Sequence, residues 1–345
     1  MTNKHRRCEL EPCCHCHRAA KRLKQQQRQK HLYLVVDDWE RGCSVYKVDV
    51  DAFSDSGPPE PLPGPPVARI EARHGGSWYF AAHGTKVLAM QPSGYPAFPV
   101  FDVDTAALAV CPWPRPGGNE VLLKPFFASV AGNLYLLSAA PPPPDSTSRE
   151  AAAWSWSKIP SLLPFDDSNR ISSFALHRDG RTLFVSQDRS TFSFDTESQE
   201  WAEHGNWVMP FSGQAYFDGE LDAWVGLCCH KGGEGYLCSA DVASVAADCR
   251  RLPAWKLGKD KLFDKDSRRH LGATLVYMSD ARYCLVESLA RDNEEDHRVI
   301  CVTTFGLKFN NQGELTATEQ KVHSYETTDA HLLPERSWKP VAFWM

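Results

Sequence analysis

The chain has no apolar stretch approaching the roughly 18 to 20 residues a membrane-spanning helix needs, because charge, glycine or proline interrupts every long apolar run. Its first 30 residues, MTNKHRRCELEPCCHCHRAAKRLKQQQRQK, hold no apolar core of the kind a secretory leader carries. The expectation is a protein of the cytoplasm or nucleus with no membrane association. Three catalytic spacings are also missing: the G-x-S-x-G nucleophile elbow, the G-x-x-x-x-G-K-[ST] phosphate loop and the H-E-x-x-H zinc motif. Each chemistry needs its residues at a defined spacing, so these absences weigh against the corresponding enzymes. An active site assembled from separate strands would leave no such local trace.

Helical periodicity is scarce as well. Segments such as STFSFD and RYCLVES alternate with period two, and 24 prolines and 22 glycines punctuate nearly every stretch. With 345 residues, 42% of them hydrophobic, the chain can bury a large core. Its length suits two ordinary domains or one large all-β domain.

Twelve cysteines without a leader read as reduced thiols rather than a disulfide framework. Cys111, Cys284 and Cys301 lie in apolar strand-like runs, where a free thiol behaves as a small hydrophobe. No structural disulfides are expected. Charge divides sharply: residues 1–30 carry nine Lys/Arg against Glu9 and Glu11, a net of about +7, which leaves about −12 on the rest. An acidic body argues against a general nucleic-acid binder, although the basic tail could touch phosphate or serve as a nuclear import signal.

The organising feature is a repeated hairpin. FALHRDGRTLFVS, Phe174 to Ser186, reads as strand, tight turn, strand, and similar segments run Phe80 to Met90, Phe126 to Ser138, Ala215 to Leu227 and Thr274 to Ser288. Their turn residues Gly84, Gly132, Gly180, Gly219 and Asp280 are 48, 48, 39 and 61 apart. A second marker lags the first: a strand closing on an acidic turn and a large apolar residue, with Leu108, Trp156, Trp201 and Trp255 at intervals of 48, 45 and 54. Two offset series that keep step imply a repeated four-stranded unit, the signature of propeller blades. One blade cannot bury both apolar faces, so it needs a neighbour on each side. About 315 residues from His31 onward hold six blades of roughly 50 residues each; seven is the alternative. HLYLVVDD near the start and PVAFWM at the C-terminus are both apolar enough to complete one sheet. The proline-rich stretches SDSGPPEPLPGPP and APPPPDSTSREAA read as loops between repeats, the second also a candidate polyproline ligand.

Acidic turns followed by Trp, as in SFDTESQEW, resemble kelch-type repeats. The stretch from His31 to Met345 resembles an expanded family of plant, chiefly grass, proteins known only as a domain of unknown function. That likeness is carried by LYLVVDDWERGCSVYKVDVDAF, WYFAAHGTKVLAM, GQAYFDGELDAWVGLC, RHLGATLVYM and PVAFWM. The resemblance implies protein interaction, with kelch-like propellers often recruiting substrates to a ubiquitin ligase. The double glycines at Gly75, Gly117 and Gly232 depart from the kelch pattern because they do not share one blade position, and no F-box-like helix bundle precedes His31.

Candidate chemistry is thin. Cys8, Cys13, Cys14, His15, Cys16 and His17 offer thiolate and imidazole for zinc or copper, but all crowd one segment instead of pairing across a loop. His83 and His177 share one position before the turn and His270 opens another hairpin, so the three could converge on a propeller channel or simply bond their own hairpins. DNEEDH, 292–297, reads as a solvated loop between strands. Trp156, Trp201 and Trp255 suit inter-blade core, whereas Trp39, Trp113 and Trp207 sit in turn-like settings that could face a partner, with core the favoured place for each one singly. The reading is a basic, mostly disordered tail at 1–30 and an all-β, kelch-like β-propeller at 31–345. Its expected role is that of a monomeric, non-catalytic protein-interaction scaffold or substrate adaptor, with a hydrolase or lyase using channel-lining His and Asp as the alternative. No catalytic, cofactor-binding or metal residue is assigned.

Overall fold

The computed structural model describes residues 29–39, 42–53, 57–71, 79–90, 97–112, 126–137, 156–165, 170–246, 251–291, 294–328 and 339–345. The tail segment with its Cys/His cluster, Trp113, Gly75, Gly117 and the four-proline run lie outside them. Apart from one 3-10 turn at Val50–Ala52, the described elements are strands. The fold is all-β and is a propeller, as its own sheets demonstrate.

Among the described residues six antiparallel units follow one another, the fourth and fifth joined in one sheet by the parallel pairing of their first strands. The first comprises β1 (Leu32–Trp39), β2 (Gly42–Val48) and β4 (Ala68–Glu71); β3 (Glu60–Pro61) leaves it to pair elsewhere. The second holds β5 (Tyr79–His83), β6 (Lys86–Met90), β7 (Ala97–Asp102) and β8 (Ala107–Pro112), and the third β9 (Phe126–Val130) and β10 (Asn133–Leu137). The fourth holds β11 (Ile171–Leu176), β12 (Thr182–Gln187), β13 (Ser190–Asp195) and β14 (Glu200–Gly205). The fifth is β15 (Gly213–Asp218), β16 (Ala223–Leu227), β17 (Tyr236–Ala240) and β18 (Trp255–Lys261). The sixth is β19 (His270–Ser279), β20 (Arg282–Arg291), β21 (Glu294–Phe309) and β22 (Leu315–Thr328).

All five hairpins read from the sequence are present, each formed by the first two strands of its unit. The turn chemistry explains them. Ala131 and Gly132 both take positive φ (49° and 77°), the conformation that matches a two-residue turn to the twist of its strands. In the fifth unit Gly219 is not the left-handed residue; Asp222 takes φ 47° instead, so the marker there is displaced within a longer turn. The acidic turns are equally local in origin. Asp102, Asp179 and Asp218 each accept backbone N–H groups two and three residues on, at 2.9–3.4 Å, closing the chain with a side chain in place of a carbonyl.

Packing closes the ring. Six buried clusters each join two successive units: β1–β2 residues with Ala89, Leu88 and Phe98 with Phe127, and Val130 with Val185. Phe184 then packs with Trp224, Val225 with Leu285, and finally Val286 with Leu34. The last of these brings the sixth unit back to the first. Trp156, Trp201 and Trp255 border three of these cores, as their spacing predicts.

The terminal segment completes the first unit as expected. β23 (Val341–Trp344) lies antiparallel to β1, with Leu32 opposite Trp344 and Val35 opposite Val341, and His31 and Met345 exchange backbone hydrogen bonds of 2.8 and 3.1 Å. The closing strand is therefore the innermost of its sheet, ordered β23-β1-β2-β4.

Two loop expectations change. The first proline-rich stretch contributes β3, a two-residue strand parallel to the outer edge of β22, where proline is tolerated because one side of the strand needs no donor. DNEEDH is largely strand rather than loop: β20 ends at Arg291 and β21 opens at Glu294.

Candidate functional site

Because the inner strand of every unit faces the ring axis, the six converge on one cavity of about 1230 Å³. β5, β9, β11, β15, β19 and β23 all contribute to its wall. Nine lining residues are aromatic, among them Tyr79, Phe126, Phe174, Tyr277, Phe343 and Trp344. Polar groups are few: Ser129, Ser212, Gln214, Thr274, Ser288 and Thr327, with Asp37, Arg298 and Lys339 as the charged members. An apolar cavity with a few converging polar groups is the usual form of a small-molecule site.

Hydrogen bonds tie the inner strands together around it. Thr274 Oγ1 donates to the Pro340 carbonyl at 2.6 Å, joining the sixth unit to β23, and Tyr216 OH donates to the Leu275 carbonyl at 3.0 Å, joining the fifth to the sixth. Trp224 Nε1 donates to the Leu176 carbonyl at 2.9 Å across the fourth and fifth.

Of the two readings for the histidines, convergence on the channel does not occur: none of His83, His177 and His270 is on the cavity wall. His83 Nδ1 stands 2.9 Å from Ser129 Oγ, bridging the second and third units, and burial followed by the nearby Lys86 charge lowers its pKa. His177 is buried and meets Asp179 at 3.0 Å inside its own hairpin. Burial raises the Asp179 pKa, but hydrogen bonds from the Arg181 and Thr182 backbone, the Thr182 hydroxyl and His177 outweigh it and bring the carboxyl to about 2. His270 Nδ1 pairs with Glu287 Oε1 at 2.7 Å and its ring stacks on Phe263 at 4.8 Å. Each histidine therefore serves its own hairpin or a neighbour.

Most of the described thiols are core, Cys229 being the exposed exception. Cys111, Cys228, Cys238 and Cys284 are buried, and the Cys228 pKa falls to about 7 because Cys238 hydrogen-bonds it, against the opposing effect of burial. Both sulfurs belong to the core between the fourth and fifth units rather than to the cavity. No group of three metal-ligating side chains occurs among the described residues. Nor is Trp207 a free anchor: it packs on that same core and its Nε1 donates to the His204 carbonyl at 2.9 Å. The Trp39 ring is covered by the Arg69 guanidinium at 5.5 Å.

Two features escaped the sequence. Lys339 on the cavity wall has no local signature except its place directly before the ring-closing strand. The other is β8, the outermost strand of its sheet, where Ala107, Leu108, Ala109 and Val110 are all exposed, Leu108 at 60% and Val110 at 69%. Leu108 had marked a repeat position, yet it faces solvent while its counterparts Trp156, Trp201 and Trp255 pack. No described helix is long and apolar enough to cross a membrane.

A sequence family described as Protein of unknown function (DUF1668) matches residues 29–325. No curated protein matches the chain. Among solved structures, the WD40 domain of SCAP from fission yeast is 10% identical, with 85% of this chain and 73% of that one covered and a TM-score of 0.33. Apo AztD from Citrobacter koseri is also 10% identical, covering 91% and 98% at a TM-score of 0.37. The β-propeller domain of Cps50 (Swd1) from Myceliophteria thermophila is 11% identical, covering 73% and 72% at 0.25. The ring assignment rests on the sheet order and the six shared cores.

Proposed function

The chain belongs to the DUF1668 family of proteins of unknown function, and on that premise we propose that it is a non-catalytic protein-interaction scaffold built on six blades. The observation carrying this reading is the β8 edge. A strand at the end of a sheet presents unpaired N–H and C=O groups, and natural proteins shield such edges with charge, proline or a covering segment. β8 holds no charge, its proline stands only at the last position, Pro112, and Ala107 to Val110 are all exposed. Such an edge suits an extended segment of another protein that adds a further strand, with main-chain hydrogen bonds supplying affinity and Leu108 and Val110 supplying side-chain contacts. In its finer form the reading is a kelch-like substrate adaptor, monomeric, working beside a ubiquitin ligase in the cytoplasm or nucleus. The acidic turns followed by Trp support that form.

The test is affinity purification of the full-length protein beside a Leu108→Lys/Val110→Lys variant, read by quantitative mass spectrometry. A stoichiometric partner recovered with the native chain and reduced at least tenfold with the variant supports the scaffold. An unchanged partner set from an equally folded variant removes the β8 edge from the reading.

A further inference from the structure

Lys339 lies just before β23, in the first unit, yet its ammonium reaches the start of β15 in the fifth: a Cβ placed on Gly213 would stand 3.1 Å from Nζ. β19 lies between them, contacting β23 on one side and β15 on the other. The side chain therefore reaches across the sixth unit's inner strand at the cavity, rather than turning out to the rim. Among the described residues it has no hydrogen-bond or ion-pair partner. The other charged wall groups, Asp37 and Arg298, have interactions of their own.

Lys339 is solvent-exposed at the cavity wall, and the protein packed around it lowers its ammonium pKa by desolvation. A cation in such surroundings is destabilised unless an anion offsets the lost hydration. The nearest wall groups named by geometry, Gly213 and its neighbours Ser212 and Gln214, bring no carboxylate. The remaining wall is mostly apolar, with nine aromatic rings set among aliphatic side chains.

From this pairing of a cation that has no partner among the described residues with a wall carrying nine aromatic rings, we infer that the central cavity is a binding site for a small aromatic molecule bearing a carboxylate. The carboxylate accepts hydrogen bonds from Lys339 Nζ and the ring packs on the aromatic wall. A charge-assisted hydrogen bond is about twice as strong as a neutral one, which separates such a ligand from an uncharged analogue of the same shape. The inference is independent of the β8 edge, which lies on the outermost strand of its sheet while the cavity is formed by the inner strands.

The experiment is isothermal titration calorimetry of the full-length protein with benzoate and with benzyl alcohol, on the native chain and on Lys339→Met and Lys339→Arg. The expected result is benzoate binding at least tenfold tighter than benzyl alcohol, with the preference lost in Lys339→Met and retained in Lys339→Arg. Leu108→Lys/Val110→Lys should leave the benzoate affinity unchanged. Equal affinities for the two probes in the native chain, or a preference that survives Lys339→Met, would overturn the site, as would the absence of benzoate binding up to saturating millimolar concentration. Thermal melting of each variant separates loss of the site from loss of the fold.

Discussion

The outer edges of the second and fourth units carry the same backbone pattern and opposite surface chemistry. β14 presents Glu200 and Glu203 to solvent, while Trp201 packs inward on the core shared with the third unit. β8 carries no charge, and both of its large apolar side chains, Leu108 and Val110, are exposed. β18 follows β14, with Lys256, Lys259, Asp260 and Lys261 along its length. The contrast teaches that the repeat reproduces strand number and pairing without reproducing the protection of the edge. An edge left apolar where its counterparts are charged is where a partner strand costs least to add.

The largest effect belongs to the element both regions depend on, ring closure. A chain ending at Lys339 loses β23, its register with β1 and the Thr274 to Pro340 hydrogen bond, and should lose cooperative thermal unfolding or melt roughly 10 °C or more lower. An unchanged melting curve would show that the ring stands without its innermost strand. Next comes Trp224→Ala in the core between the fourth and fifth units, where the indole is fully buried and bonded across the boundary. It should cost about 3–5 kcal/mol in denaturant unfolding, whereas Leu108→Ala on the exposed edge should fall within about 0.5 kcal/mol. Similar costs at the two sites would erase the distinction between packed and open repeat positions.

The charge on β14 can be tested by making it resemble β8. Glu200→Leu/Glu203→Leu should raise the apparent mass in light scattering as protein concentration increases, at little cost in melting temperature; a strictly monomeric variant would mean that charge is not what guards that edge. The smallest effect concerns the turn at Asp179. Its folded pKa of about 2 lies below the ordinary 3.8, so the ionised carboxylate contributes stability that is fully present above about pH 4 and is lost as pH falls toward 2. Asp179→Asn should therefore melt below the native chain at neutral pH, and the gap should narrow between pH 4 and 2. A gap constant across that window would assign the turn's contribution to shape rather than charge.

Much of the architecture was legible because hairpins are local. Gly132 and Gly180 sit where the backbone needs positive φ, Asp102, Asp179 and Asp218 cap their own turns, and alternation of apolar residues sets which face is buried. The terminal pairing could be read because the segments near the two chain ends are both too apolar to stand as loose tails, so that one could complete the other's sheet. The candidate site was much less legible. The recurrence of His83 and His177 before their turns suggested a shared destination, but residues equivalent by repeat belong to different blades, and each ring found a partner in its own hairpin or the next unit.

By itself, then, the sequence determined the strands, their turns and the need for neighbours on both faces, since these follow from backbone stereochemistry and apolar patterning over a dozen residues at a time. Tertiary structure alone decided that β8 would stand exposed while β14 packs through Trp201, and that Lys339 would reach Gly213 across the cavity. Both depend on where the successive units come to rest against one another, and residues more than a hundred positions apart carry no mark in the chain of the contact that the ring imposes on them.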